Sequence, residues 1–97
     1  MEIQGKAAVV TGASRGVGAA TALAFAKRGC SVLINYAQSD AAAAQVRDQV
    51  TALGVKAVIF KGDVANDQVC RAMMQAAVDG LGRLDVLICN AGTTSFI

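Results

Sequence analysis

Residues 9–18 read Val-Val-Thr-Gly-Ala-Ser-Arg-Gly-Val-Gly and connect a β-branched run to an alanine-rich segment. A strand that leads through closely spaced glycines into a helix is typical of folds that hold a dinucleotide pyrophosphate. One glycine makes the tight turn, one lets the backbone approach the phosphates, and one lets helix and strand pack closely. The helix N-terminus also favours an anion through its N–H groups and positive partial charge. This segment therefore predicts a βα unit with an anion site at the strand–helix turn.

The rest of the chain alternates apolar runs with helical patterns that begin and end at recognisable cap residues. Ser39 or Asp40 is placed to cap the second helix and Asn66 or Asp67 the third, whereas Gly29 follows the first. We predict helices over residues 16–28, from 39 or 40 to 53, and from 66 or 67 to the Gly80-Leu81-Gly82 sequence. Apolar residues recur at helical spacing in the second and third helices and are expected to face the core: Val46, Val50, Leu53, Val69, Met73 and Ala77.

Four apolar runs predict strands over residues 7–11, 31–36, 56–61 and 85–89. The apolar fraction of 55% and the charged fraction of 16% suit a parallel sheet covered on both faces. With right-handed crossovers, the βαβαβαβ sequence predicts an α/β Rossmann-type sheet in the order 3-2-1-4 with helices on both faces. Strand 4 would then be an apolar outer strand, which needs a cover. We therefore expect residues 1–97 to be the N-terminal half of a doubly wound fold, an incomplete domain.

Composition argues against several classes of protein. The net charge of +2 is scattered and only four aromatic residues are present, so we expect no nucleic-acid partner. Three separated cysteines and no histidine predict neither a metal site nor a disulfide framework, and they fit a reducing, cytoplasmic location. The N-terminus lacks a signal-peptide pattern, and no apolar run approaches the ~20 residues of a membrane span.

The glycines are spaced Gly-x-x-x-Gly-x-Gly after Thr11, Asp63-Val64 follows the third strand, and Asn90-Ala91-Gly92 follows the fourth. With these three motifs in order, the chain from Lys6 to Gly92 resembles the short-chain dehydrogenase/reductase family, most of all its 3-oxoacyl-[acyl-carrier-protein] reductase-like members. The resemblance implies a dinucleotide cofactor, a small carbonyl substrate and a homo-oligomer. It also implies cofactor-binding roles for Gly12, Ser14, Arg15, Gly16, Val17, Gly18, Asp63, Val64, Asn90, Ala91 and Gly92. Cys89 departs from the asparagine that many members carry, and we expect it to fill a small buried position.

Charge indicates which dinucleotide is preferred. NAD sites usually carry a carboxylate at the end of the second strand, where this chain reads Asn35-Tyr36-Ala37-Gln38-Ser39. Arg15 stands where NADP-preferring family members carry a basic residue, and a guanidinium suits a 2′-phosphate. Asn35, Tyr36 and Ser39 are expected to add hydrogen bonds. We therefore predict NADP(H) in preference to NAD(H).

The catalytic residues of the family are not found in these 97 residues. Family members use a Tyr-x-x-x-Lys pair and a serine, but the single tyrosine, Tyr36, has Asp40 four residues later. In the complete protein we expect hydride transfer between NADPH and a carbonyl/hydroxyl pair, with a 3-oxoacyl thioester as the substrate. A non-catalytic NADP-binding module and a truncated product without activity are the alternatives.

Overall fold

The computed structural model describes residues 3–13 and 16–89, which form a four-stranded parallel sheet flanked by three helices. The elements are β1 (Ala7–Val10), α1 (Gly16–Lys27), β2 (Ser31–Tyr36), α2 (Asp40–Ala52), β3 (Ala57–Lys61), α3 (Asp67–Leu81) and β4 (Val86–Ile88). The strands lie in the order β3-β2-β1-β4, all parallel, as predicted. Among the described residues, no strand pairs with the outer side of β4, where Leu87 is 40% exposed.

Alternating strand residues send their side chains to two separate cores. Val10, Val32 and Ile34 pack with α1 and α2 on one face of the sheet. Val9 and Leu33 pack with α3 on the other face. Because successive residues of a strand point to opposite faces, continuous apolar runs are what a sheet covered on both sides requires.

Local capping chemistry sets the ends of two helices. The Asn66 side chain accepts hydrogen bonds from two first-turn amides of α3, at 2.9 and 3.2 Å. At the end of α1, the amide of Gly29 donates to the carbonyl of Ala26 and that of Cys30 to the carbonyl of Phe25. This pair of bonds is the Schellman arrangement, with Gly29 at a φ of 83°.

Several predicted details are wrong, and tertiary packing is the reason. Leu53 is 44% exposed at the C-cap of α2 instead of lying on its buried face. The predicted end of α3 in the Gly80-Leu81-Gly82 sequence is confirmed, with Gly82 as the left-handed C-cap and Gly80 lying against Val58. Cys89 is exposed instead of filling a core position. Some strand ends also shift by one residue, as hydrogen-bonded boundaries commonly do.

Within residues 3–13 and 16–89, none of the helices combines the length and apolar character needed to cross a bilayer.

Candidate cofactor site at the carboxyl edge of the sheet

The turn between β1 and α1 begins where β1 is joined to the end of β4. The Thr11 amide donates to the Ile88 carbonyl at 2.9 Å, and its hydroxyl approaches the same oxygen at 3.4 Å. Gly12 and Gly16 both have positive φ, 60° and 65°, which a glycine adopts without strain. No atom of the described residues lies within 4 Å of the position that a Cβ of Gly16 would take.

Gly18 brings α1 against the loop that precedes it. A Cβ at this position would lie 2.8 Å from the carbonyl carbon of Gly12 and 2.9 Å from the Cα of Ala13, with the Gly12 oxygen nearer still. These neighbours are backbone atoms, which cannot rotate away as a side chain could. The close-packing role expected for the third glycine therefore has a direct geometric basis.

Asn35, at the end of β2, connects the glycine loop with β3. Its side-chain oxygen accepts from the Gly12 amide at 3.4 Å, and its amide group donates to the carbonyls of Phe60 and Gly62, both at 3.2 Å. Its own carbonyl accepts from the Ala13 amide at 2.8 Å. The side chain is buried and its N–H groups are used inside the protein. Asn35 therefore positions the loop, a role that the sequence interpretation, which assigned it to the cofactor, missed.

Tyr36 and Ser39 follow at the same edge. The Tyr36 side chain is buried, and this burial, followed by the neighbouring Asp40 carboxylate, raises the pKa of its hydroxyl above the ordinary value. Ser39 has a φ of 69°, the only positive φ at a non-glycine residue in the described part of the chain. Ser39 occupies the N-cap position of α2, as predicted, but its side chain makes no capping hydrogen bond. Backbone conformations of this kind concentrate at functional sites.

A charged pair lies beside these two residues. The Lys61 Nζ is 3.4 Å from the Asp40 Oδ1, with 57% and 69% of the two side chains exposed. Lys61 is brought there by the sheet, because it is the register partner of Tyr36 across β2 and β3. Sequence reasoning did not single out Lys61; the only available signal was its position at the end of the third apolar run.

Asp63 and Val64 follow β3 at the same edge. One oxygen of Asp63 accepts from the Ala65 amide at 2.9 Å, and the Asp63 carbonyl accepts from the Asn66 amide. The exposed Asp63 thus shapes the turn into α3. Val64 is half-buried and packs against the α3-side core, and Val17, in the first turn of α1, is 74% exposed.

The structure thus brings the ends of β1, β2 and β3 together with the start of α1. Five further residues predicted for the site lie outside the described residues: Ser14, Arg15, Asn90, Ala91 and Gly92. In the described ranges no group of three or more His, Cys, Asp or Glu residues could hold a metal ion.

Charge at the opposite edge of the sheet serves a structural purpose. The Asp85 carboxylate accepts from the Ala7 amide at 2.9 Å and from the Nε and Nη2 of Arg83 at 2.7 and 3.0 Å. Arg83, and then the Ala7 amide, lower the pKa of Asp85 below its ordinary value. Burial, and then the Asp85 charge, raise the pKa of the buried Cys30 thiol, which keeps it protonated.

The parallel sheet, the two-sided helical cover and the glycine turn define an α/β fold of the Rossmann type. The chain belongs to the short chain dehydrogenase family, whose model matches residues 6–96.

Individual proteins of similar sequence or structure are dehydrogenases or other oxidoreductases. An uncharacterized oxidoreductase of Methylorubrum extorquens is 48% identical over 95 residues, which cover 98% of this chain and 38% of that protein. An L-rhamnose 1-dehydrogenase (NAD(P)(+)) of Sphingomonas sp. is 43% identical over 97% of this chain and 37% of its own length. A short-chain dehydrogenase/reductase structure from Serratia marcescens superposes with a TM-score of 0.89 at 39% identity, covering 96% of this chain and 38% of that one. The chain therefore spans less than two fifths of the length of these relatives.

Proposed function

We propose that this protein is an NADP(H)-dependent oxidoreductase that transfers a hydride between the nicotinamide cofactor and a carbonyl/hydroxyl substrate, with residues 1–97 as its cofactor-binding portion. The observation that carries the proposal is the packing of Gly18 on the Gly12 backbone at the end of β1. In a member of the short chain dehydrogenase family, this geometry supports a pyrophosphate site. The bound cofactor would supply or accept the hydride.

The residues of this edge fit such a cofactor. Within the described residues, no side chain or backbone atom fills the space beside Gly16, and the N–H groups of the first turn of α1 favour a diphosphate there. Asn35 holds the loop that presents these groups. We assign the adenosine end of the cofactor to Tyr36, Ser39, Asp63 and Val64. The pyrophosphate and ribose contacts fall to Gly12, Ser14, Arg15, Gly16, Val17, Gly18, Asn90, Ala91 and Gly92.

The preference for NADP(H) over NAD(H) is supported by charge. Arg15 lies in the glycine loop and supplies a cation for a 2′-phosphate. The first carboxylate after β2, Asp40, is paired with Lys61, so its charge is partly neutralised. In NAD sites, by contrast, the carboxylate that binds the adenosine ribose is free to accept hydrogen bonds from the ribose hydroxyls.

For the substrate we propose a 3-oxoacyl thioester, on the resemblance of the Gly5-Lys6, Ala13-Ser14-Arg15 and Asn35-Tyr36-Ala37 segments to 3-oxoacyl-[acyl-carrier-protein] reductase-like members. The relatives whose names give a substrate include an L-rhamnose dehydrogenase and versicolorin reductases, so substrates differ among proteins of similar sequence. On the same family resemblance, and on the separated cysteines, we propose a cytoplasmic homo-oligomer.

A non-catalytic NADP-binding module is the second candidate. Loss of NADPH absorbance on addition of a 3-oxoacyl thioester separates the two candidates. The oxidoreductase consumes NADPH, whereas the module binds it unchanged.

Cofactor choice is tested by calorimetric titration of the protein with NADPH and, separately, with NADH. The parent is expected to bind NADPH more tightly, and Arg15→Ala should weaken NADPH binding roughly 10- to 100-fold, because a charge-assisted bond to phosphate contributes about 1.5–3 kcal/mol. NADH binding should change little. The control is Arg71→Ala, which removes an exposed arginine of α3 that pairs with Asp67. Equal losses for both dinucleotides in Arg15→Ala would contradict the assignment.

A further inference from the structure

The ends of β2 and β3 and the start of α2 place three polar side chains together. Tyr36 and Lys61 are register partners on neighbouring strands, and Asp40 is the first residue of the helix that follows β2. The Lys61 ammonium lies 3.4 Å from the Asp40 carboxylate. Arg47, further along α2, pairs instead with Asp48 at 3.3 Å. Lys61 is thus the cation that the described part of the chain provides for Asp40.

The position of Asp40 gives this pair a consequence for the cofactor. Asp40 is the first carboxylate after β2 and begins α2 directly after Ser39, so it lies beside the strand end at which NAD sites carry the acid that binds the ribose 2′-hydroxyl. A free carboxylate there repels a 2′-phosphate, since two negative charges would meet at the edge of the site. A carboxylate held by an ammonium forms a pair without net charge, which repels phosphate far less.

We propose that Lys61 is a specificity-determining residue that neutralises Asp40 and thereby admits the 2′-phosphate of NADP(H). The inference rests on the proposed function, because it assumes a dinucleotide at this edge. It assigns Lys61 an indirect role: the lysine acts through Asp40 and not as a ligand of the phosphate. Arg15 remains the cation that reads the phosphate.

The expected effect is moderate because both side chains are more than half exposed. Exposed pairs are screened by water and salt, and a single charge a few ångströms from a ligand changes affinity by roughly three- to tenfold. The change in affinity should be largest at low ionic strength, where salt screens the charges least. The surface position also means that removing the ammonium should leave the protein folded.

The experiment compares dissociation constants for NADPH and NADH at low ionic strength. Lys61→Met should weaken NADPH binding three- to tenfold and leave NADH binding within about twofold. Asp40→Asn added to Lys61→Met should restore NADPH binding to the parent value. Lys56→Met is the matched control, since Lys56 precedes β3 at the opposite edge, and neither affinity should change.

Ionisation of Tyr36 gives a second readout that a merely structural role would not move. Tyr36 is the single tyrosine of the sequence; burial and then the Asp40 carboxylate raise the pKa of its hydroxyl, whereas the Arg47 charge lowers it. Unpairing that carboxylate should shift the tyrosinate absorbance titration of Lys61→Met to higher pH than in the parent, and Asp40→Asn should reverse the shift.

The outcomes separate the inference from the function beneath it. A parent that binds neither dinucleotide overturns both. A parent that binds NADPH, with a Lys61→Met variant whose NADPH-to-NADH ratio is unchanged, overturns the inference alone. Failure of Asp40→Asn to restore binding also overturns it, because Lys61 would then be contacting the phosphate directly.

Discussion

Replacing Gly18 by alanine sets local helix propensity against tertiary packing, because the two predict opposite changes in stability. Alanine is preferred to glycine inside a helix by up to about 1 kcal/mol. The added Cβ, however, would lie 2.8 and 2.9 Å from backbone carbons of Gly12 and Ala13, whereas carbons in contact ordinarily stand about 3.5–4.0 Å apart. The helix or the loop must therefore move by roughly 0.7 Å or more.

The cost of that movement decides the sign. Overpacking typically destabilises by about 1–3 kcal/mol. The upper end applies at Gly18, because the neighbours are backbone and Gly12 is tied to Asn35. Subtracting the helix-propensity gain leaves a net loss of about 2 kcal/mol in the free energy of unfolding. Displacing the loop should also lower NADPH affinity at least about tenfold, since misplaced backbone donors lose their charge-assisted bonds.

Urea unfolding followed by circular dichroism measures the first quantity, and calorimetric titration with NADPH the second. Ala20→Gly is the control, because Ala20 is exposed on the same helix. This variant should lose about 1 kcal/mol of unfolding free energy through lower helix propensity and keep its affinity for NADPH. A Gly18→Ala protein as stable as the parent, with unchanged NADPH affinity, would refute the packing argument.

Three further substitutions test the capping, bracing and charge assignments. Asn66→Ala removes the acceptor for two first-turn amides and should lower the free energy of unfolding by about 1 kcal/mol in urea; no change would show that water replaces the cap. Asn35→Asp keeps the shape but turns two N–H donors into an oxygen that faces carbonyl groups, so a loss of about 2–3 kcal/mol is expected by the same method, and a neutral result would contradict the bracing role. Arg83 and the Ala7 amide lower the pKa of Asp85 in the folded state. The ionised carboxylate therefore stabilises the fold fully above the ordinary carboxyl pKa near 4, and this stabilisation is lost as the pH falls from there through the lowered pKa. Stability measured against pH should therefore fall less steeply on the acid side for Asp85→Asn than for the parent; parallel curves would contradict this.

The order of elements and the sheet topology could be predicted from the sequence because their signals are local. The Asn66 cap and the glycine that closes α1 are read directly from residue type. Continuous apolar runs between helical patterns imply parallel strands with right-handed crossovers, which leaves few topologies. The order β3-β2-β1-β4 is confirmed.

The errors occur where exposure depends on distant neighbours. Helical spacing placed Leu53 on the buried face, but α2 has already ended there and the side chain is 44% exposed. Residue size alone placed Cys89 in the core, whereas it is exposed. Spacing along the chain does not report which side of an element lies against another one.

The glycine spacing and the strand–helix alternation were enough by themselves to determine the fold, and they predict the edge at which we propose that a dinucleotide binds. Only the tertiary structure decided how that edge is built. Gly18 packs on the Gly12 backbone, Asn35 ties the loop to β3, and Lys61 pairs with Asp40. The Gly18 contact is local and measures a role that the glycine spacing predicted, whereas the Asn35 and Lys61 contacts join segments that the sequence separates and that the parallel sheet brings together. Local preferences can place a turn at the end of a strand, but long-range pairing determines which groups of that turn remain available to a ligand.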